Sequence, residues 1–151
     1  MLTIFGIGLL LIGVTFGIHA VGSTLWIEYL LRRHAGRDGE WRSKTGMWVL
    51  MVTGIVLLVL HVLEALAWAV AYLLLPGGAR LETFEEAAYF SIVTFTTLGY
   101  GDITLDPQWR LLSGVEAMNG ILLAGWSTAL LFSVVQRSWK LTHQPREKQQ
   151  P

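Results

Sequence analysis

Three apolar stretches long enough to cross a bilayer, with a fourth of half that length, constrain this chain more than anything else in its sequence. Residues 1–31, 46–75 and 108–137 carry few ionisable side chains, and at about 1.5 Å per residue a helix over any of them exceeds the roughly 30 Å hydrocarbon layer. In lipid every backbone N–H and C=O needs an internal partner, so such stretches become helices. Phe84 to Thr96 would reach only roughly 20 Å as a helix, enough to enter the bilayer and not to cross it. The expectation is an all-α membrane protein with three transmembrane helices and one re-entrant helix. A cleaved signal peptide at residues 1–31 is the rival for the first stretch, but it has no basic leader and its apolar run is too long.

Local signals set the helix ends. Pro76-Gly77-Gly78 stops the second helix, and Thr83-Phe84-Glu85-Glu86 matches a capping box in which Thr83 is the N-cap and Glu86 occupies N3. Asp106 and Pro107 suit the cap and first position of the last helix. Lys and Arg are placed asymmetrically. Arg32, Arg33, Arg37, Arg42 and Lys44 follow the first span, and Arg137, Lys140, Arg146 and Lys148 follow the last, which assigns those ends to the cytoplasm. Glu82, Glu85, Glu86, Asp102 and Asp106 crowd the opposite side, so the N-terminus is expected outside and the short helix enters from outside. Trp41, Trp48, Trp109 and Trp139 are expected in an interfacial belt. Cysteine is absent, which excludes disulfides and thiolate chemistry. The basic clusters sit beside apolar spans, where they meet lipid headgroups, and no nucleic-acid surface is expected.

Between the short helix and the last span lies Thr94-Phe95-Thr96-Thr97-Leu98-Gly99-Tyr100-Gly101-Asp102. Irregular backbone at membrane depth must be buried in protein or line a wet path. Gly99 and Gly101 alternate with Leu98 and Tyr100, and glycine reaches the positive φ values that let successive carbonyls face one side. Rings of such carbonyls, with the Thr97 hydroxyl below them, would replace a cation's hydration shell. The short helix would aim its partially negative C-terminus at the cation, and Asp102 would add charge at the outer mouth.

These residues resemble the filter pattern of the potassium-channel family, Thr-x-x-Thr-x-Gly-Tyr-Gly-Asp, at Thr94, Thr97, Gly99, Tyr100, Gly101 and Asp102. The resemblance covers residues 46–137 and implies a pore domain of outer helix 46–75, pore helix 84–96, filter 97–102 and inner helix 108–137. Residues 1–31 form an additional N-terminal transmembrane helix, 32–45 a cytoplasmic basic linker and 138–151 a short cytoplasmic tail. The resemblance further implies a homotetramer in the inner cell membrane that passes K+ passively, with K+ coordinated by Thr97, Leu98, Gly99, Tyr100 and Gly101. Thr94, Thr96 and Asp102 support the filter and its mouth, and Tyr89-Phe90 falls where the family places an aromatic cuff. No cofactor is implied beyond the permeant ion. Leu98 departs from the valine or isoleucine common at its position, and Val93 stands where some members carry a carboxylate.

No arginine repeat marks a voltage sensor, and no regulatory domain is expected after Val135. Gly120 lies near the family's bending region and is expected to be a hinge, whereas Gly114 and Gly125 are expected at packing contacts. Glu116-x-x-x-Gly120, Ser127-Thr128 and Phe132 weakly resemble the inner helices of bacterial inward rectifiers. Gly13-x-x-x-Gly17 offers the first helix a close-packing face. His19, His61, Glu64 and Glu116 lie at membrane depth, with Asn119 beside them, and are expected to face other protein. His61 and Glu64 share a helix face. The cluster is a structural hydrogen-bonded group, a pH sensor in which one histidine acts on the filter through Glu116 or, as a third reading, a metal site. Glu28 and Arg32 form a surface helix pair. Two alternatives to a selective channel stand beside it: a non-conducting regulatory or assembly subunit of a larger complex, and a weakly selective cation channel. No nucleophile–base pair or phosphate loop points to an enzyme.

Overall fold

The computed structural model describes residues 2–34, 46–75 and 81–142, with side chains through 136. Arg37, Trp41, Arg42, Lys44, Pro76-Gly77-Gly78, Arg80, Arg146, Lys148 and the side chains of Arg137, Trp139 and Lys140 lie outside the described set. Four helices account for the regular structure there: α1 (Leu2–His34), α2 (Gly46–Leu73), α3 (Phe84–Phe95) and α4 (Arg110–Thr142). Of these, α1, α2 and α4 are long and apolar enough to cross a membrane. The protein is therefore an all-α, multi-pass membrane protein.

The capping box opens α3. The Thr83 hydroxyl accepts from the Glu86 N–H at 3.2 Å, and the Glu86 carboxylate accepts from the N–H groups of Thr83 at 3.4 Å and Glu82 at 2.9 Å. Three backbone donors are satisfied, and the acids sit at the positive end of the helix dipole. At the start of α4, a turn closed by Trp109 N–H on the Asp106 carbonyl (2.8 Å) precedes the regular helix, which begins at Arg110 rather than at Pro107.

α2 packs against the other three helices, α3 sits between α2 and α4, and α1 lies against α2 and α4 without reaching α3. Two apolar clusters hold the bundle. One joins Trp68 and Tyr72 of α2 to Phe90 and Phe95 of α3 and Leu112 and Leu123 of α4, with Ile4, Ile7 and Leu11 of α1 against it. The other joins Leu30, Val49, Leu57, Leu60, Leu130 and Val134 at the opposite end. The N-terminus of α1 thus shares an end with the C-terminus of α2, the start of α4 and the entry of α3.

Two expectations about packing are corrected. Gly13 and Gly17 meet nothing within 4 Å of a Cβ position; α1 makes its close approaches at Gly8, where Val115 Cγ1 would lie 3.0 Å away, and at Gly22, where a Cβ would overlap Leu60. A pair of glycines four apart marks a face only if the crossing point falls there, and here the crossings fall elsewhere. Trp109 is not a belt residue. It is only 8% exposed and packs in the larger core, whereas Trp48 is 60% exposed.

Candidate functional site

The segment after α3 departs from ordinary backbone in a regular way. Thr97, Gly99 and Gly101 have φ of 61°, 57° and 77°, while Leu98 and Tyr100 between them keep negative φ. Alternation of left-handed and right-handed residues turns successive peptide planes so that their carbonyls face one side. Glycine explains two of these positions. Thr97 does not, because a β-branched residue in the left-handed region is an outlier costing about 1–2 kcal/mol. Sequence alone placed Thr97 in the strand but pointed to positive φ only at Gly99 and Gly101.

The join to α3 is closed by hydrogen bonds from Thr97 N–H to the Thr94 carbonyl (2.9 Å) and from the N–H groups of Leu98 (3.0 Å) and Gly99 (3.2 Å) to the Val93 carbonyl. The Thr96 hydroxyl bonds back to the Ile92 carbonyl at 2.7 Å. Residues 96–102 are exposed within one chain, Leu98 and Tyr100 at 56% and 66%. Thr94 is half-buried. Behind the strand a cavity of about 330 Å³ is lined by Tyr89, Val93, Thr94, Thr97, Ser113 and Ala117, among others.

Tyr89 and Phe90 serve different ends. Phe90 is buried and meets the Tyr72 ring edge-on, with centroids 5.3 Å apart. The Tyr89 hydroxyl donates to Asp102 Oδ2 at 2.7 Å, pinning the outer end of the strand to α3. That bond holds the Asp102 carboxyl below its ordinary range and raises the Tyr89 hydroxyl above its own.

At mid-depth the buried polar side chains form layers between helices. Glu116 accepts from the Tyr72 hydroxyl at 2.6 Å and from Ser91, tying α4 to α2 and α3. One turn along α4, Asn119 donates to Thr15 of α1 at 2.8 Å. Further along, His19 Nδ1 and His61 Nδ1 contact the two Glu64 oxygens at 2.8 and 3.0 Å, and their Nε2 atoms converge on Ser127 Oγ at 3.3 and 2.9 Å. The His61–Glu64 pair follows from helical spacing. The arrival of His19 and Ser127 depends on how helices cross, which no local spacing records. Glu116 and the histidines belong to separate groups, with no hydrogen bond between them among the described residues.

Gly120, expected to be a hinge, is buried, and a Cβ there would overlap the Phe95 carbonyl oxygen. It is a point of close packing of α4 against the end of α3. Gly114 and Gly125, expected at packing contacts, meet nothing within 4 Å in the chain. Phe132 is 61% exposed on α4.

The model of the ion channel family matches residues 58–137, a span running from α2 through α3 and the irregular strand into α4. No solved structure matches the chain.

Proposed function

The chain belongs to the ion channel family, and from that premise we propose that it conducts K+ selectively and passively through a filter formed by Thr97, Leu98, Gly99, Tyr100 and Gly101. The observation that carries this reading is the alternation of φ over Thr97–Gly101 at the end of a capped half-length helix. Backbone carbonyls of these residues and the Thr97 hydroxyl coordinate the ion, which is the cargo and not a resident cofactor. Four chains close the pore about a common axis. A single strand offers only one side of each ring, and the exposure of Leu98 and Tyr100 within one chain supports their burial against copies of the same chain. Thr94 and Thr96 fasten the filter to α3. Asp102, held by Tyr89, keeps negative charge at the mouth. The N-terminus and the filter entrance face outward and the basic connections face the cytoplasm, in the orientation that the Lys and Arg distribution favours across the inner cell membrane.

Ion flux into liposomes holding the purified protein tests the reading. K+ uptake well above Na+ uptake, blocked by barium, is the expected result. Equal K+ and Na+ uptake would make the pore a weakly selective cation channel. No uptake of either ion across pH and voltage would make the chain a non-conducting subunit.

A further inference from the structure

Glu64, His19, Ser127 and His61 close a four-membered ring of side chains, and its hydrogen count does not balance with the groups in their ordinary forms. Four contacts link them: each histidine Nδ1 to a separate Glu64 oxygen, and each Nε2 to Ser127 Oγ. Each contact needs one hydrogen. A carboxylate supplies none, two neutral imidazoles supply one each and the hydroxyl supplies one, which makes three for four contacts. One contact would then set lone pair against lone pair in a site where Glu64 and His19 are wholly buried.

We propose that this ring is a proton-binding site at mid-membrane depth that takes up one further proton and is closed only when the proton is bound. With it, two arrangements satisfy every contact. In one, a Glu64 carboxylate accepts from both Nδ1–H groups, one histidine is an imidazolium donating to Ser127, and Ser127 donates to the other. In the second, Glu64 carries the proton and donates to one neutral histidine, and the remaining bonds run around the ring in one direction. Both leave the cluster with no net charge, the state that low-dielectric surroundings favour. Loss of the proton breaks one bond and leaves one net negative charge.

The ligand is a proton rather than a metal. His19, His61 and Glu64 carry donor atoms within 4.8 Å of one another, but a divalent ion between a carboxylate and two neutral imidazoles leaves a net positive charge among apolar helices. It would also find every donor atom already engaged. Other groups facing the ring are few. From α4, the Trp126 ring lies 5.3 Å from that of His19, and from α3 the Phe95 ring lies 6.0 Å from that of His61, neither ionisable. Glu116, the other carboxylate at depth, is engaged by Tyr72 and Ser91. α1 and α2 contribute no further ionisable side chain to the ring.

The consequence is mechanical. His19 lies on α1, His61 and Glu64 on α2 and Ser127 on α4, so the bound proton completes a tie from both α1 and α2 to α4. Its departure frees one histidine from Ser127.

Nitrogen-15 NMR of the full chain in liposomes tests this, with labelled histidine and with His34 and His143 replaced by Gln to leave the ring pair alone. Between about pH 5 and about pH 9, bracketing the imidazole range, the two histidines should lose one proton together, in a single shared step. Ser127→Ala should weaken the binding of that proton about tenfold, the equivalent of one hydrogen bond of about 1.4 kcal/mol. Ser127→Thr, which keeps the hydroxyl, should restore the step. Independent titration of the two histidines, or a step unchanged in Ser127→Ala, overturns the proposal. So does the absence of any step, or a step that appears only with added zinc and vanishes with a chelator. The signal is read whether or not the protein conducts, so its failure is separate from a failure of the channel reading.

Discussion

The irregular strand at residues 97–101 and the mid-depth helix interfaces solve the same problem, polar groups inside a membrane, in opposite ways. Along the interfaces most buried polar groups find partners within the chain: Tyr72 and Ser91 serve Glu116, Asn119 serves Thr15, and two histidines share Glu64, whereas Asn119 Oδ1 and the Trp68 and Trp109 indole N–H groups have no hydrogen-bond partner among the described residues. Along residues 97–101 the backbone takes a strained alternating form, and its side chains stay exposed. The interfaces need no other copy of the chain, only the proton that closes the histidine ring. The strand, in our reading, is finished only by other copies and by an ion, and strain at such a site persists because its surroundings over-determine it.

The sharpest way to break this comparison is Gly99→Ala. Within one chain Gly99 has open space around a Cβ position, so the loss expected there comes from its φ of 57°. A left-handed L-residue costs about 1–2 kcal/mol, so four copies in one filter would cost about 4–8 kcal/mol. At about 1.4 kcal/mol per tenfold, K+ flux should fall by at least about 700-fold while helix content by circular dichroism is unchanged. Undiminished flux would show that the alternating backbone is not the conduction path.

Gly120→Ala probes the other region. Its new methyl would overlap the Phe95 carbonyl, so each chain should lose about 1–3 kcal/mol, read as a lower melting temperature in detergent. Gly125→Ala, with open space around it in the chain, is the control and should differ little. Equal effects from the two would remove the distinction between packed and open glycines.

Tyr89→Phe tests the seam between the regions through pH. The Tyr89 bond is the first cause of the lowered Asp102 value. A depressed carboxyl contributes stability that is present above its unfolded pKa and lost as pH falls through its lower folded one. Removing the hydroxyl raises the folded value toward the ordinary range, so acid should disable the filter entrance at a higher pH in Tyr89→Phe than in the native protein. Flux measured down an acid series reads the shift, and superimposable profiles would mean that Asp102 owes nothing to Tyr89.

The smallest effect is expected outside both regions. Glu28 and Arg32 pair at 3.1 Å on an exposed face, and Glu28→Ala should change the melting free energy by no more than about 0.5 kcal/mol.

What the sequence disclosed follows the same division. Span lengths, the half-length helix and the capping box are local, because apolar run length and the spacing from Thr83 to Glu86 encode them directly. The His61–Glu64 pair is local too. Positions set by helix crossing were not legible. Gly8 and Gly22 make the close approaches of α1 although Gly13 and Gly17 carry the familiar spacing, and the approach of Gly120 to Phe95 was not foreseen. Ser127 meets His19 from 108 residues away. The positive φ of Thr97 was hidden for another reason: its side chain disfavours that conformation, so only the surrounding fold can impose it.

The central claim is that the exposed strand of one chain becomes a cation path when copies assemble. An experimental density map of the purified protein in lipid nanodiscs, recorded in potassium and again in sodium, tests it most directly. The account predicts four chains whose Thr97–Gly101 carbonyls surround one axis, with a row of ion density between them in potassium that is lost or rearranged in sodium. An assembly in which those strands face lipid or lie apart, with no density between them in either salt, would contradict it.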